Sequence, residues 1–228
     1  MAAAIQFYPL DIMYRVEENK PKIYLFGKTK DNQQVCIIDE EFKPYFYVML
    51  KKHADVEQFR EKILKLEVEE KGHIAKVEKT ELADKKYLGE DLKVVKVYAR
   101  LPADVPLIRS VIKDWEIIKS INEYDIPFVR RYLLDKKITP LCLTEASGDF
   151  IANANLKVPA FKADKINQLS TDTITSPKVL AFDIETYNPL GKRFIPEQFP
   201  VIMVAFYGEN FKKVITWKRF KTDDDSIE

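Results

Sequence analysis

The chain has 228 residues, with 37 Lys and Arg against 36 Asp and Glu. Its net charge of +1 excludes binding of nucleic acid by bulk positive charge and leaves any such affinity to local basic patches. An apolar content of 46%, with no run near the roughly 20 apolar residues of a membrane span, fits one large or two small globular domains with no membrane partner.

Residues 1–4 lack the basic and apolar regions of a signal peptide, so a cytoplasmic location is expected. Cys36 and Cys142 are far apart and have no His or Cys at metal spacing, so each reads as a small buried hydrophobe. Two histidines, His53 and His73, argue against His-based chemistry.

In chain order, residues 5–39 predict a three-stranded meander with turns near Asn19 and Asn32, the first strand an edge or broken at Pro9. Residues 46–50 form the next strand. Val56, Phe59, Ile63 and Leu66 recur at helical spacing over 55–66, and Gly72 is expected to close that helix. Residues 74–77 and 92–98 read as strands. Asp104 can cap a helix with Val105 and Pro106 in its first turn, and 117–121 is a further strand. The order β-α-β-β-α-β is that of a ferredoxin-like unit, a topology shared by many proteins that touch no nucleic acid.

Residues 125–127 start a basic amphipathic helix, with Phe128, Tyr132 and Leu133 inward and Arg130, Arg131, Lys136 and Lys137 outward. Its outer face is either solvated or in contact with phosphates. Residues 139–178 show no strong periodicity; 150–154 and 155–158 are read as a hairpin and 170–177 as linker, with a domain boundary in this stretch. Strands are expected again at 179–184, 200–207 and 213–217, before the acidic end Thr222-Asp223-Asp224-Asp225-Ser226-Ile227-Glu228, which reads as a solvated tail.

The run Val179 to Thr186 carries the most pointed chemistry. On a strand, Asp183 and Glu185 face the same side while Ile184 points into the core. Paired carboxylates repel unless a cation lies between them, and oxygen ligands at this spacing suit Mg²⁺ or Mn²⁺ acting on a phosphodiester. An exposed strand end bearing ordinary surface acids fits Asp-x-Glu equally well.

Leu180-Ala181-Phe182-Asp183-Ile184-Glu185-Thr186 resembles the first exonuclease motif of family B DNA polymerases. Glu123-Tyr124-Asp125-Ile126-Pro127-Phe128 and Phe42-Lys43-Pro44-Tyr45-Phe46-Tyr47 resemble two stretches of the archaeal branch, in the same order and at similar spacing. The resemblance implies the N-terminal part of a DNA-directed DNA polymerase, cut off early in its 3′→5′ exonuclease domain. The fold class it implies is α+β: a β meander with a ferredoxin-like unit, then the first strands of a ribonuclease-H-like exonuclease domain. The expected division is a template- and uracil-recognition domain at 1–142, a linker with a hairpin at 143–178, and an incomplete exonuclease domain at 179–228.

Archaeal members of this family stall on template uracil. Carried over residue by residue, their pocket implies Tyr14, Pro44, Tyr45, Pro102, Val105, Pro106, Arg109, Ile126, Pro127 and Phe128 here. Ala103 departs from the pattern, because a larger polar residue is usual there. Apolar walls suit a flipped base. Rejection of thymine requires a rigid floor, which Pro44, Pro106 and β-branched Val105 favour. Backbone groups around Tyr45 and Ile126 are expected to refuse cytosine by hydrogen bonding, with Arg109 holding a phosphate or the local loop. The implied partners are single-stranded template DNA containing uracil and the remainder of the polymerase, on the same or a second chain.

Asp183 and Glu185 supply half a catalytic metal site for Mg²⁺ or Mn²⁺. The chain alone is therefore expected to bind no such ion and to be inactive. The alternatives are a residual metal-dependent exonuclease, and a single-strand (RNA) binding or assembly module using the sheet face.

Overall fold

A computed structural model describes residues 3–87, 89–152, 156–174, 177–191, 193, 195–218 and 221. The chain divides into two compact units, 1–174 and 175–228.

In the first unit, β1 (Ala3–Glu17), β2 (Lys20–Thr29) and β3 (Gln34–Asp39) form the expected meander. The tight β1–β2 turn places Glu18 and Asn19 at φ 50° and 59°, the left-handed pair that matches strand twist in a two-residue hairpin. At Pro9 the register shifts, and the pairing of β1 with a later strand extends only to Phe7. The ring removes a ladder donor there, so the register shifts, but the strand neither breaks nor becomes a sheet edge and runs on to Glu17.

Residues 143–178 are more than a linker with a hairpin: β9 (Cys142–Ile151) and β10 (Ala160–Thr173) do pair antiparallel, but as long strands that close the meander into a barrel of order β1-β2-β3-β10-β9. Closure leaves no free sheet edge, which offsets the weak alternation of these polar strands. Gly148 allows the tight corner, since a Cβ there would lie 2.0 Å from the Lys162 carbonyl oxygen. The tip of the expected hairpin at 153–155 lies outside the described residues, as does the acidic stretch 222–228.

The second half of this unit is a sheet of order β5-β6-β7-β4-β8, comprising β4 (Tyr45–Leu50), β5 (Glu67–Glu70), β6 (His73–Tyr87), β7 (Glu90–Ala99) and β8 (Ile118–Asn122). Helix α1 (Val56–Leu64) is capped by Asp55, which accepts from the Gln58 N–H at 3.0 Å. Gly72 does not close this helix. With φ 80° it turns the β5–β6 hairpin, and β5 is an additional strand. Helix α2 (Asp104–Ile112) begins after Ala103, and Asp104 is its first residue rather than its cap. Phe46, Val48, Val95 and Val97 face Phe59, Ile63, Ile108 and Ile112 of the two helices, whereas the alternate residues Tyr45, Tyr47 and Met49 form a cluster on the opposite face.

Helix α3 (Phe128–Lys136) sends Phe128 and fully buried Tyr132 into the barrel core. The Tyr132 hydroxyl donates to Asp39 at 3.1 Å.

The second unit contains β11 (Leu180–Thr186), β12 (Val201–Gly208) and β13 (Phe211–Thr216), all antiparallel and in that order. Ile184 does not point into a core: it is 50% exposed and Phe182 70%. Within this unit no helix or second sheet covers the three strands among the described residues.

Candidate nucleic-acid interface

Three segments of the first unit converge on one hollow of about 320 Å³. The start of β4 brings Pro44 and Tyr45, the turn into α2 brings Pro102, Ala103 and Val105, and the approach to α3 brings residues 124–128. Tyr14 of β1 closes one side, its ring edge-on to Phe128 with centroids 5.3 Å apart. Tyr45, Val105 and Phe128 are buried, and Tyr14 is exposed.

Eight of the ten residues expected from sequence line this hollow: Tyr14, Pro44, Tyr45, Pro102, Val105, Ile126, Pro127 and Phe128. Pro106 and Arg109 do not. Pro106 is exposed on the first turn of α2. Arg109 stacks its guanidinium over Tyr124 at 4.5 Å, so its contact with the hollow runs through that wall residue.

Ala103, Tyr124, Asp125 and Arg131 complete the lining. Tyr124 and Asp125 stand directly before Ile126-Pro127-Phe128, so adjacency was the available signal. Arg131 corrects the sequence reading outright: it is buried, not on the outer face of α3. Helical spacing places it three residues from Phe128, on the inward stripe. Its Nη1 donates to Glu123 Oε2 at 2.5 Å and to the Tyr45 hydroxyl at 3.3 Å, and its Nη2 donates to the Glu123 carbonyl at 3.2 Å. Glu123 meets it by adopting φ 61°, a left-handed conformation that costs a non-glycine residue about 1–2 kcal/mol.

Burial opposes the Arg131 charge, but Glu123 and Tyr45 hold its pKa above the ordinary value. Burial and the hydrogen bond to Asp135 push the Tyr45 phenol far above its usual range. The hydroxyl therefore stays protonated and donates to Asp135 Oδ2 at 2.5 Å. Its ring is fixed at one end and presents its side to the hollow.

In the second unit, Asp183 and Glu185 lie on one side of β11, opposite Ala205 and Met203. Both are exposed, and Asp183 Oδ1 accepts from the Ile184 N–H at 2.9 Å. Among the described residues no group of three or more His, Cys, Asp or Glu gathers at metal-binding distance. Two carboxylates supply only part of an octahedral Mg²⁺ or Mn²⁺ shell, the rest of which would come from water, substrate oxygens or further acids.

Residues 119–227 match the family described as DNA polymerase family B, exonuclease domain. Over 210 residues, 92% of this chain, the sequence is 35% identical to a DNA polymerase of Thermococcus sp. (strain GE8), of which the match covers 10%. It is 34% identical over the same share of the chain to the DNA polymerase of Pyrococcus glycovorans, covering 22% of that protein. The family B DNA polymerase from the hyperthermophilic archaeon Pyrobaculum calidifontis has a similar structure, with a TM-score of 0.72 over 94% of this chain and 27% of that one, at 26% identity. Over most of its length the chain is similar to archaeal family B DNA polymerases, of which it spans only a tenth to about a quarter.

The exonuclease-domain match does not respect the division into units. It begins at residue 119, within β8, and takes in α3, β9 and β10 before reaching the second unit. Among the described residues no helix is long and apolar enough to cross a membrane.

Proposed function

We propose that this chain is the template-reading portion of a DNA-directed DNA polymerase with 3′→5′ exonuclease activity, and that its hollow receives a uracil flipped out of single-stranded template DNA. The observation that carries the reading is the meeting of Tyr45, Val105 and Phe128, with Pro44 and Pro102, in one concavity. Apolar and aromatic walls replace the stacking a flipped base gives up. A missing methyl in a compliant pocket gives only ~1–3 kcal/mol, so thymine is refused by a floor that cannot retreat from its extra carbon. Val105 has few rotamers, and proline fixes φ at Pro44 and Pro102. Cytosine presents the reverse hydrogen-bonding edge and leaves buried groups unpaired, at about 1–3 kcal/mol each.

The adjacency β6-β7-β4-β8, with α1 and α2 on one face, supports a ferredoxin-like reading of this sheet, with β5 an addition. The antiparallel β11, β12 and β13 support a reading as the opening strands of a ribonuclease-H-like exonuclease domain. There Asp183 and Glu185 would hold Mg²⁺ or Mn²⁺ together with acids from elsewhere in a complete site; the bound ion would polarise the phosphodiester and its attacking water.

Titration of the chain with matched single strands, one bearing uracil and one thymine, tests the sensor at fixed salt. Tighter binding of the uracil strand is expected, and equal affinities would refute the reading. A second reading draws on the sheet face opposite α1 and α2, where Lys79, Lys85 and Lys96 lie over Tyr98, Tyr47 and Tyr45 at 4.3, 4.3 and 3.7 Å. An RNA-binding module would use that face and would favour RNA over matched DNA in competition, with no response to uracil in DNA.

A further inference from the structure

The Asp104 carboxylate is fully buried, and it sits between Ala103 and Val105 of the hollow. Its Oδ2 accepts the main-chain N–H groups of Leu101 and Lys76, each at a long 3.3 Å. Its Oδ1 lies 2.5 Å from His73 Nε2. Arg100 Nε stands 3.9 Å away and has no hydrogen-bond partner among the described residues. Among the described residues the imidazole is therefore the one short contact this buried anion makes.

We propose that His73 is a positioning residue for the base hollow: by gripping Asp104 it immobilises the turn that carries Pro102, Ala103 and Val105, and so sharpens discrimination against the thymine methyl. This rests on the uracil-sensing reading. A buried carboxylate is costly unless paired. Without His73 it keeps two weak backbone donors and a distant arginine, so the turn must shift to bring Arg100 or water closer. A clash-based filter tolerates little of this, since a site loosened by a fraction of an ångström already accommodates the wrong group. Backbone bonds show the same tethering: the Arg100 N–H donates to the Lys76 carbonyl, and the Ala99 N–H to the carbonyl of Pro44, another wall residue, both at 3.0 Å.

The test uses the full chain, anisotropy titrations with uracil and thymine strands at fixed pH and salt, and the variants His73→Gln and His73→Lys. The uracil-over-thymine affinity ratio should fall about fivefold in His73→Gln and stay near the wild-type value in His73→Lys, whose charge can still pair with Asp104. A wild-type ratio in His73→Gln would overturn the proposal.

Amide hydrogen exchange provides a readout that needs no DNA. The Leu101 and Lys76 amides should exchange faster in His73→Gln than in wild type or His73→Lys, and unchanged exchange would overturn the grip. Equal wild-type affinities for uracil and thymine, with exchange behaving as expected, would refute the sensor and leave the grip standing.

Discussion

The guanidinium of Arg131 lies 4.7 Å from the ring centre of Tyr45, and its Nη1 is 3.3 Å from the same tyrosine's hydroxyl. A charge inside the wall of an apolar hollow is tolerated because Glu123 supplies both a carboxylate and a carbonyl to it. Replacing Arg131 with Met keeps approximate volume and removes every one of those bonds. Glu123 is partly open to solvent and can rehydrate, so the loss should be about 1–3 kcal/mol rather than the larger cost of a stranded buried ion. Urea denaturation measures it, and a midpoint unchanged from wild type would show that the pair contributes nothing net.

Val105 is the most direct probe of the clash mechanism. It is buried, belongs to the first turn of α2 and shares the hollow with Tyr45 and Phe128. A glutamine here fills the space that the proposed reading gives to a bare pyrimidine ring. The uracil and thymine affinities of Val105→Gln should converge, chiefly through loss of uracil binding, while circular dichroism stays native. A retained uracil preference would mean that the discriminating surface lies elsewhere.

The hollow was legible only through the family resemblance, which pointed to Tyr14, Pro44, Tyr45, Pro102, Val105 and 126–128 together. Taken singly, Pro44-Tyr45 reads as an ordinary core strand and Val105-Pro106 as a helix start, because nothing local says that separated segments meet. The barrel was not legible, because the evidence for β9 and β10 lies in their partners. Ala160 pairs with Cys36 and Ile151, contacts more than 100 residues apart in one case, and no local periodicity encodes that. Arg131 was misread for a related reason: charge alone suggests the surface, and only the left-handed turn at Glu123 brings an anion to meet it inside. The expected burial of Ile184 failed because an apolar strand earns a core only when something packs on its face.

Barrel stability should weaken in acid through Glu40. Its carboxylate accepts from Lys162 at 2.6 Å and Lys22 at 2.9 Å. These contacts, Lys162 first, hold it below the usual value near 4.5 despite partial burial. The folded state thus binds this proton less readily than the unfolded chain. The stabilisation is complete above about 4.5 and disappears as pH falls through the lower folded value. Glu40→Gln should cost about 1 kcal/mol at neutral pH, the upper range for pairs partly open to water, and nothing in strong acid. Denaturant melts at both pH values check this, and a deficit that persists in acid would assign the effect to packing instead.

Asp183 and Glu185 set the limit on nuclease chemistry by this chain. Hydrolysis assisted by two metals needs each ion held on several oxygens, with attacking and leaving groups clamped between them. Here two exposed carboxylates share one side of a strand, one of them already engaged by the Ile184 N–H, and no third acid joins them among the described residues. End-labelled single strands incubated with the chain and millimolar Mn²⁺ should remain intact, and the double variant Asp183→Asn, Glu185→Gln should be indistinguishable from wild type. Adding a polypeptide that carries the missing exonuclease acids should restore 3′→5′ shortening with the wild type and not with the double variant. Shortening by the wild-type chain alone, abolished in the double variant, would show that two carboxylates suffice and would reverse this assignment.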